Sequence, residues 1–290
     1  MHPLHSLAAI KFTGPDARSF LQGQLSNDLD LLTQEQSLLA SCNSAQGRVQ
    51  AILRLIERDD GILAVLPRTM VDTTLTRLRK YVLRAKVTIE DARDSIQISW
   101  ADTADISDKK LPAPSSPSQH QQLDALSVLR WPDTTSERWL VLQSGLTPDV
   151  KQGADQDWLL ADIRAGLPQV LPETHESFVA QMLNLDALNG ISFNKGCYTG
   201  QEIIARAHFR GTVKRRMFHF QAACEAPPPG TRILTGGESA GEVVMATPTL
   251  GGCELLAVIS LAHRAAPLTL ESGNTPLETL TLPYQLPADT

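Results

Sequence analysis

The residues best suited to chemistry lie in one short stretch, residues 195–202, with the sequence KGCYTGQE. Thr199 and Glu202 have the spacing of a capping box, which predicts that a helix starts between them. Cys197 then lies just before the N-terminus of this helix, where unpaired N–H groups and the helix dipole favour an anion. Because Lys195 adds a positive charge nearby, we expect Cys197 to ionise more easily than a free thiol and to act as the catalytic residue.

The neighbours of this cysteine separate several possible roles. A lone cysteine is most often a small buried hydrophobic residue. Gly196 and Gly200 let the backbone turn sharply or approach a ligand closely, which favours a place at a surface or cleft. His208 is the nearest histidine, and it lies roughly 12 Å along the predicted helix. A Cys–His pair of the protease type is therefore not expected, and the pattern favours a redox, sulfur or metal-binding role.

The same stretch resembles the signature of the YgfZ-type folate-binding proteins. This family assists iron–sulfur cluster enzymes and is related in fold to the T-protein of glycine cleavage, an aminomethyltransferase. The resemblance extends to residues 13–24, 158–168, 184–193 and 205–211. It implies an α+β fold in which two aminomethyltransferase-like lobes, built from antiparallel sheets and helices, hold a folate.

The resemblance also implies roles for particular residues. Trp158 matches the family's tryptophan that lines the folate pocket, so tetrahydrofolate is expected against it, between the two lobes. Leu7 stands in the first strand, where the family often has a second pocket tryptophan, so one wall of the pterin site differs here. We take Lys195, Tyr198 and Arg206 as further candidate cofactor-binding residues.

The function that the resemblance implies is an accessory role in iron–sulfur cluster assembly or repair, and thereby in tRNA modification by methylthiolation. Expected partners are iron–sulfur enzymes such as a radical-SAM tRNA methylthiolase. One cysteine cannot hold a cluster alone, so Cys197 would supply one ligand and a partner would supply the others.

Two other functions stay open. One is a folate-dependent aminomethyl or one-carbon transferase of the T-protein class, in which Asp91 or Asp94 would assist attack by the folate nitrogen. The T-protein typically has an acidic residue where this chain has Cys197, which argues against transfer. The other is a thiol-dependent interaction module that binds no ligand.

Apolar periodicity predicts strands and helices in an order typical of antiparallel α+β layers. We expect strands at residues 7–13, 38–42, 49–57, 62–66, 126–131 and 139–143, with 86–89 and 96–100 paired to each other. We expect helices at residues 15–25, 69–83, 155–165, 172–188 and 200–209. The Pro- and Ser-rich residues 103–122 predict an exposed loop. The sequence contains no nucleotide-phosphate loop.

The C-terminal part of the sequence has a different texture. From Met217 onward, short strands alternate with Gly and Pro turns, which predicts a small β-barrel. We place the domain boundary near Gly211, between a folate-binding region at residues 1–210 and a barrel at residues 211–290. A basic cluster lies at this boundary and comprises Arg206, His208, Arg210, Lys214, Arg215 and Arg216. It forms either a solvated face or a contact for an anion, such as the glutamate tail of a folate or RNA phosphate.

Composition sets wider bounds. The 290 residues are 42% hydrophobic and 20% charged, as in a globular protein, and the net charge of −6 excludes a general electrostatic attraction to nucleic acid. The four cysteines show no Cys-x-x-Cys pair and no zinc-ligand spacing, so we expect no metal site and a reducing compartment. With neither a signal-peptide pattern nor a bilayer-length apolar run, we expect a cytoplasmic protein without membrane contact.

Overall fold

The computed structural model describes residues 1–134, 136–145, 155–211 and 213–287. The α-helices in these ranges are α1 (Ala17–Gln24), α2 (Val71–Arg79), α3 (Thr103–Asp108), α4 (Asp155–Arg164) and α5 (Gln201–Phe209). The strands are β1 (His2–Pro3), β2 (Leu7–Thr13), β3 (Leu38–Asn43), β4 (Val49–Arg58), β5 (Gly61–Pro67), β6 (Thr88–Asp91), β7 (Ile96–Ala101), β8 (His120–Leu123), β9 (Leu126–Trp131), β10 (Arg138–Ser144), β11 (Arg215–Ala222), β12 (Arg232–Thr235), β13 (Glu238–Thr249), β14 (Gly252–Ser260), β15 (Thr269–Leu270) and β16 (Glu278–Leu280). None of the helices in the described ranges has the length and hydrophobicity needed to cross a membrane.

The strands pair into three antiparallel sheets. The first sheet has the order β3-β4-β5-β2-β6, the second β1-β7-β10-β9-β8, and the third β15-β12-β13-β14-β11-β16. Every pair of neighbouring strands within them is antiparallel. This arrangement agrees with the antiparallel α+β layers predicted from the sequence.

Strand β2 contributes to two cores because its side chains alternate between the two faces of the first sheet. Ala8, Ile10 and Phe12 pack into a core with helices α1 and α2. Leu7 and Ala9 belong to a second core, which includes the second sheet and α4. The first sheet is covered on both faces, which explains why its strands are nearly continuous apolar runs.

The prediction that residues 86–89 pair with residues 96–100 is wrong. Strand β6 pairs with β2 in the first sheet, whereas β7 pairs with β1 and β10 in the second sheet. Ala92 lies at the crossover, where its N–H donates to the carbonyl oxygen of Ala9 at 3.1 Å and its side chain enters the second core. The chain passes from the first sheet to the second at this buried alanine, and no local sequence pattern predicts this change.

The exposed loop predicted at residues 103–122 contains two ordered elements. Helix α3 begins behind Asp102, whose carboxylate accepts a hydrogen bond from the N–H of Asp105 at 2.8 Å. Ile106 buries the inner face of this short helix. Strand β8 ends the segment, and His120 at its start is also buried. The loop prediction is therefore wrong at both ends of this segment.

The helix predicted at residues 172–188 is also wrong, because only two short 3-10 turns form there. They cover Pro172–Thr174 and Ala180–Leu183. Asn184 ends the second turn in a left-handed conformation with φ of 57°. Its buried side chain donates to the carbonyl oxygen of Met217 at 2.9 Å, so a long-range contact stabilises a break where periodicity favoured a helix.

The C-terminal β-region is the third sheet. A bulge between Val243 and Met245 bends β13. Among the described residues no strand pair joins β15 to β16, so the pairs define a curled open sheet. The coarse prediction of a C-terminal β-region is confirmed, and the closed barrel is not formed by these pairs. The boundary near Gly211 stays a prediction.

Helix α4 connects the second core to the third sheet. Its Trp158 packs into the second core. Arg164, at the other end of the helix, forms a salt bridge with Glu254 of β14 at 2.6 Å. The same carboxylate contacts His219 of β11 at 3.0 Å. Burial alone would raise the pKa of Glu254, but the hydrogen bonds and positive charges of Arg164 and His219 hold it below its usual value.

Candidate functional site

Helix α5 begins at Gln201, close to the predicted position, but a capping box does not start it. Its N-cap residue is Gly200, with φ of 84°, and no side chain caps the helix. A Cβ atom at Gly200 would lie 2.5 Å from the carbonyl oxygen of Ser44, in the turn between β3 and β4. Glycine is therefore required for the left-handed turn and for the close approach. The predicted capping box of Thr199 and Glu202 is wrong, because the start of the helix is set by the packing of Gly200 against the backbone of Ser44.

Lys195 anchors the cysteine motif to the end of α1. Its Nζ donates hydrogen bonds to the carbonyl oxygens of Gln22, Leu25 and Asn27 at 2.6, 2.7 and 2.9 Å. Burial lowers the pKa of Lys195 to about 8. The ring centroid of Tyr198 lies 4.9 Å from the same Nζ. Because an ammonium group has three donors and all three are used, Lys195 holds the motif against the end of α1. Its role in cofactor binding stays a prediction.

Cys197 lies exposed between two buried side chains. Lys195 and Tyr198 are both buried, and burial raises the pKa of Tyr198 to about 12. Cys197 itself is exposed, whereas Cys42 and Cys253 are buried. Burial raises the pKa of Cys42 to about 11. Cys197 is therefore the most accessible of the four thiols, on a loop held in place from both sides.

The two α5 residues considered from the sequence lie outside the central cavity described next. The ring of His208 stacks on the ring of Phe193, with 3.7 Å between centroids and 11° between planes. This stacking fixes the position of the His208 ring, and the expectation that His208 does not activate the thiol stays a prediction. Arg206 is exposed, and within the described residues its side chain makes no hydrogen bond or salt bridge.

A central cavity of about 610 Å³ opens beside the first sheet. Its walls come from distant parts of the chain and include Asn27, Arg54, Leu167, Asn189 and Tyr284. The volume lies in the range that holds a drug-sized ligand. Apolar walls with a few converging polar groups are typical of a cofactor site.

Arg54 supplies the buried positive charge of this cavity. Its guanidinium donates to Ser118 Oγ at 3.0 Å, while its Nε has no hydrogen-bond partner among the described residues. The guanidinium carbon lies 5.3 Å from the ring centroid of Trp131. Burial lowers the pKa of Arg54 to about 10, opposed by the charge of Asp162. A buried guanidinium with an unused donor suits an anionic ligand such as a carboxylate.

A smaller cavity of about 40 Å³ adjoins the central one. The two share Leu39, Arg54 and Leu167 as lining residues. Leu7 and Trp131 also line the smaller cavity. The structure therefore brings Leu7, predicted at the pterin wall, next to the central cavity.

Trp158 lies behind Trp131 and not on the cavity surface. It is 2% exposed, and its ring centroid is 5.1 Å from that of Trp131. Arg138 covers the Trp158 ring at 4.3 Å and pairs with Asp162 at 2.7 Å. Asp162 accepts a hydrogen bond from Trp131 Nε1 at 2.9 Å, and burial raises the pKa of Asp162. Trp158 thus supports the orientation of Trp131, and its own contact with folate stays a prediction.

Asn27 links the thiol motif to the central cavity. Its carbonyl oxygen accepts a hydrogen bond from Lys195, two residues before Cys197. Its side chain lines the cavity and donates to the carbonyl oxygens of Leu39 and Asn189 at 2.8 and 2.7 Å. The motif and one wall of the cavity are therefore held by the same residue.

Three residues of this site were not predicted from the sequence. Arg54 could have been noticed from the sequence, since it is a charged residue within the apolar strand β4. Trp131 ends a predicted strand, but nothing local assigns it to a cavity. Tyr284 returns from the C-terminal end, and its hydroxyl donates to the carbonyl oxygen of Gly166 at 2.8 Å. That contact depends on the whole fold.

The aspartates considered for one-carbon transfer lie outside the central cavity. Asp91 forms a salt bridge with Arg93 at 2.5 Å, and hydrogen bonds from Arg93 lower the pKa of Asp91. Asp94 is exposed. Neither residue is among the described lining residues of the cavity. The geometry therefore gives no support to a transferase role for this pair.

Potential metal ligands come together at one place in the described parts of the chain. His2, Asp102 and Asp105 have ligand atoms within 4.8 Å of one another. Asp105 already accepts a hydrogen bond from the N-terminal ammonium group, which lowers the pKa of Asp105. Cys197 belongs to no such group within those parts, so a metal at this thiol would need ligands from a partner.

The fold defines a class of protein. The glycine cleavage system aminomethyltransferase T from Bartonella henselae has a similar structure, with a TM-score of 0.68. The match covers 97% of this chain and 85% of the other, at 14% sequence identity. The chain therefore has the aminomethyltransferase fold. No family model matches the sequence.

Two relatives show the family. The tRNA-modifying protein YgfZ from Cronobacter sakazakii is 32% identical over 306 residues, which cover 98% of this chain and 92% of the relative. The tRNA-modifying protein YgfZ from Klebsiella pneumoniae is 35% identical over 237 residues, which cover 78% and 72% respectively. The chain belongs to the YgfZ family, and the resemblance inferred from the cysteine motif is confirmed.

Proposed function

We propose that this protein is a folate-binding accessory protein that supports iron–sulfur cluster assembly or repair, and thereby tRNA methylthiolation. The observation that carries the proposal is the exposed Cys197, held between buried Lys195 and Tyr198 and joined through Asn27 to the central cavity. The relatives' designation as tRNA-modifying proteins supports the same conclusion.

Folate suits the central cavity by size and by chemistry. A cavity of about 610 Å³ has room for a ligand with an aromatic ring system and an acidic tail. Arg54, with its unpartnered Nε, offers a charge-assisted hydrogen bond to a carboxylate. Trp131, fixed by Asp162, offers an aromatic surface beside Arg54 in the smaller adjoining cavity. We place Trp131 at the wall of the folate site, with Trp158 behind Trp131 and Leu7 beside it.

The proposed thiol chemistry is ligation shared with a client enzyme. Cys197 as a thiolate would bind iron or sulfur transiently, while the partner supplies the remaining ligands, since a cluster usually needs four. The expected partners are iron–sulfur enzymes such as a radical-SAM tRNA methylthiolase. Four unpaired cysteines suit a reducing compartment, and we place the protein in the cytoplasm.

A rescue assay tests this function. Cells that lack the protein receive the wild type, Cys197→Ser or Cys224→Ser, and their methylthio-modified tRNA is measured by mass spectrometry. We expect the wild type and Cys224→Ser to restore the modification and Cys197→Ser to fail. Cys224 is the matched control, because it is a partly exposed thiol in the third-sheet region. Full restoration by Cys197→Ser, or none by the wild type, would refute the proposal.

A further inference from the structure

The outward face of α5 carries both cations and an exposed aromatic ring. Ile203, Arg206 and Phe209 follow one another at spacings of three residues, which places them on one side of the helix, and Arg210 directly follows the last helical residue. Ile203 is 39% exposed and Phe209 is 66% exposed. Two partly exposed apolar side chains therefore lie on the same side of α5 as the exposed Arg206.

The cations of this face are not neutralised by the protein itself. Arg206 and Arg210 are exposed, and neither has a salt-bridge partner in the described ranges. Glu202 is the acid nearest to Arg206 and Arg210 in sequence. Arg232, an exposed arginine of the third sheet, instead pairs with Glu271 at 3.0 Å. In a chain of net charge −6, this face is a local positive surface.

The aromatic ring is held in place by its neighbours. Phe193 and His208 stack at 3.7 Å, and Phe209 contacts both rings edge-on, at centroid distances of 6.0 and 4.7 Å. Edge contacts fix a ring but leave part of its surface free. An ordered, exposed ring between arginines is the arrangement on which an unpaired base stacks while its phosphates contact the cations.

We propose that this α5 face binds a single-stranded loop of RNA, with a base stacked on Phe209 and phosphates on Arg206 and Arg210. An acidic protein would pair with the cations but would leave the ring without a role. Phe209 lies at the C-terminal end of α5, roughly 12 Å along the helix from the end that follows the thiol motif. The inference goes beyond the proposed function, since it requires neither folate nor chemistry at Cys197.

The test is fluorescence anisotropy with a labelled RNA stem-loop and a fully paired duplex of the same length, over a salt series. We expect the wild type to bind the stem-loop more tightly than the duplex. Phe209→Ala should weaken binding about tenfold, the loss of roughly one stacked base. Arg206→Gln with Arg210→Gln should lower the salt slope by about 1.4, since each single-strand phosphate contact contributes about 0.7.

Two matched variants control for charge and exposed apolar area. Arg232→Gln removes an exposed arginine of the third sheet, and Leu250→Ala removes a fully exposed leucine in the β13–β14 turn. Both should bind the stem-loop as the wild type does. Equal binding of stem-loop and duplex, or wild-type binding by the Phe209→Ala and double-arginine variants, would overturn the proposal. No binding of RNA at low salt would also overturn it.

Discussion

The cysteine motif and the central cavity are built in opposite ways. The motif is one continuous loop, with Lys195, Cys197 and Tyr198 within four residues, and its exposed thiol lies between buried anchors. The cavity is assembled from residues as distant as Asn27 and Tyr284. Local sequence can specify a reactive loop, whereas a ligand cavity needs the complete fold. The two parts should therefore respond differently to substitution.

The largest expected difference concerns the four thiols. With iodoacetamide at neutral pH, Cys197 should be alkylated at least about a hundredfold faster than Cys42, because a pKa raised to about 11 leaves that thiol about a hundredfold less ionised than an ordinary one. Burial of Cys42 slows it further. Peptide mass spectrometry over a time course measures both rates. Labelling of Cys42 before Cys197 in the folded protein would contradict the description of the motif.

Removing the anchor of the motif should cost stability. Lys195→Met leaves three carbonyl oxygens at the end of α1 without their donor, and we expect unfolding to become easier by about 3 kcal/mol. Lys214→Met removes an exposed lysine and should change stability by less than about 0.5 kcal/mol. Urea denaturation followed by circular dichroism measures both. Equal stability of the two variants would show that Lys195 is not an anchor.

The glycines of the motif allow a sharper comparison. Gly200→Ala forces a side chain into a left-handed position 2.5 Å from a carbonyl oxygen, so we expect a loss of about 2 kcal/mol. Gly196→Ala adds a methyl group to open space and should have little effect. Thermal unfolding of the two variants, side by side, measures the difference. A tolerated Gly200→Ala would contradict the packing of the motif on the β3–β4 turn.

The cavity should lose ligand affinity without losing stability. Arg54→Met removes a buried cation, which leaves folding unchanged or more stable but removes the proposed carboxylate contact. We expect tetrahydrofolate affinity to fall about tenfold, the value of one charge-assisted hydrogen bond. Arg84→Met, at an exposed position, is the control. Unchanged affinity in Arg54→Met would remove this residue from the folate site.

The same contrast explains which predictions succeeded. Strands β2 to β5, β9 and β10, helix α4 and the motif helix were predictable because their patterns are local. The separation of β6 from β7 was not, since it depends on the burial of Ala92. The break at Asn184 depends on Met217, and Lys195 reaches carbonyl groups about 170 residues earlier in the chain. Such contacts leave no periodic signal in the sequence.

The most direct test of the central claim is a titration of tetrahydrofolate into wild type and Cys197→Ser by isothermal calorimetry. If the cavity binds folate and the thiol acts separately, both proteins will bind with the same affinity, although only the wild type restores tRNA methylthiolation. Loss of folate binding in Cys197→Ser would contradict the separation of thiol and cavity. Absence of binding in the wild type would contradict the folate site itself.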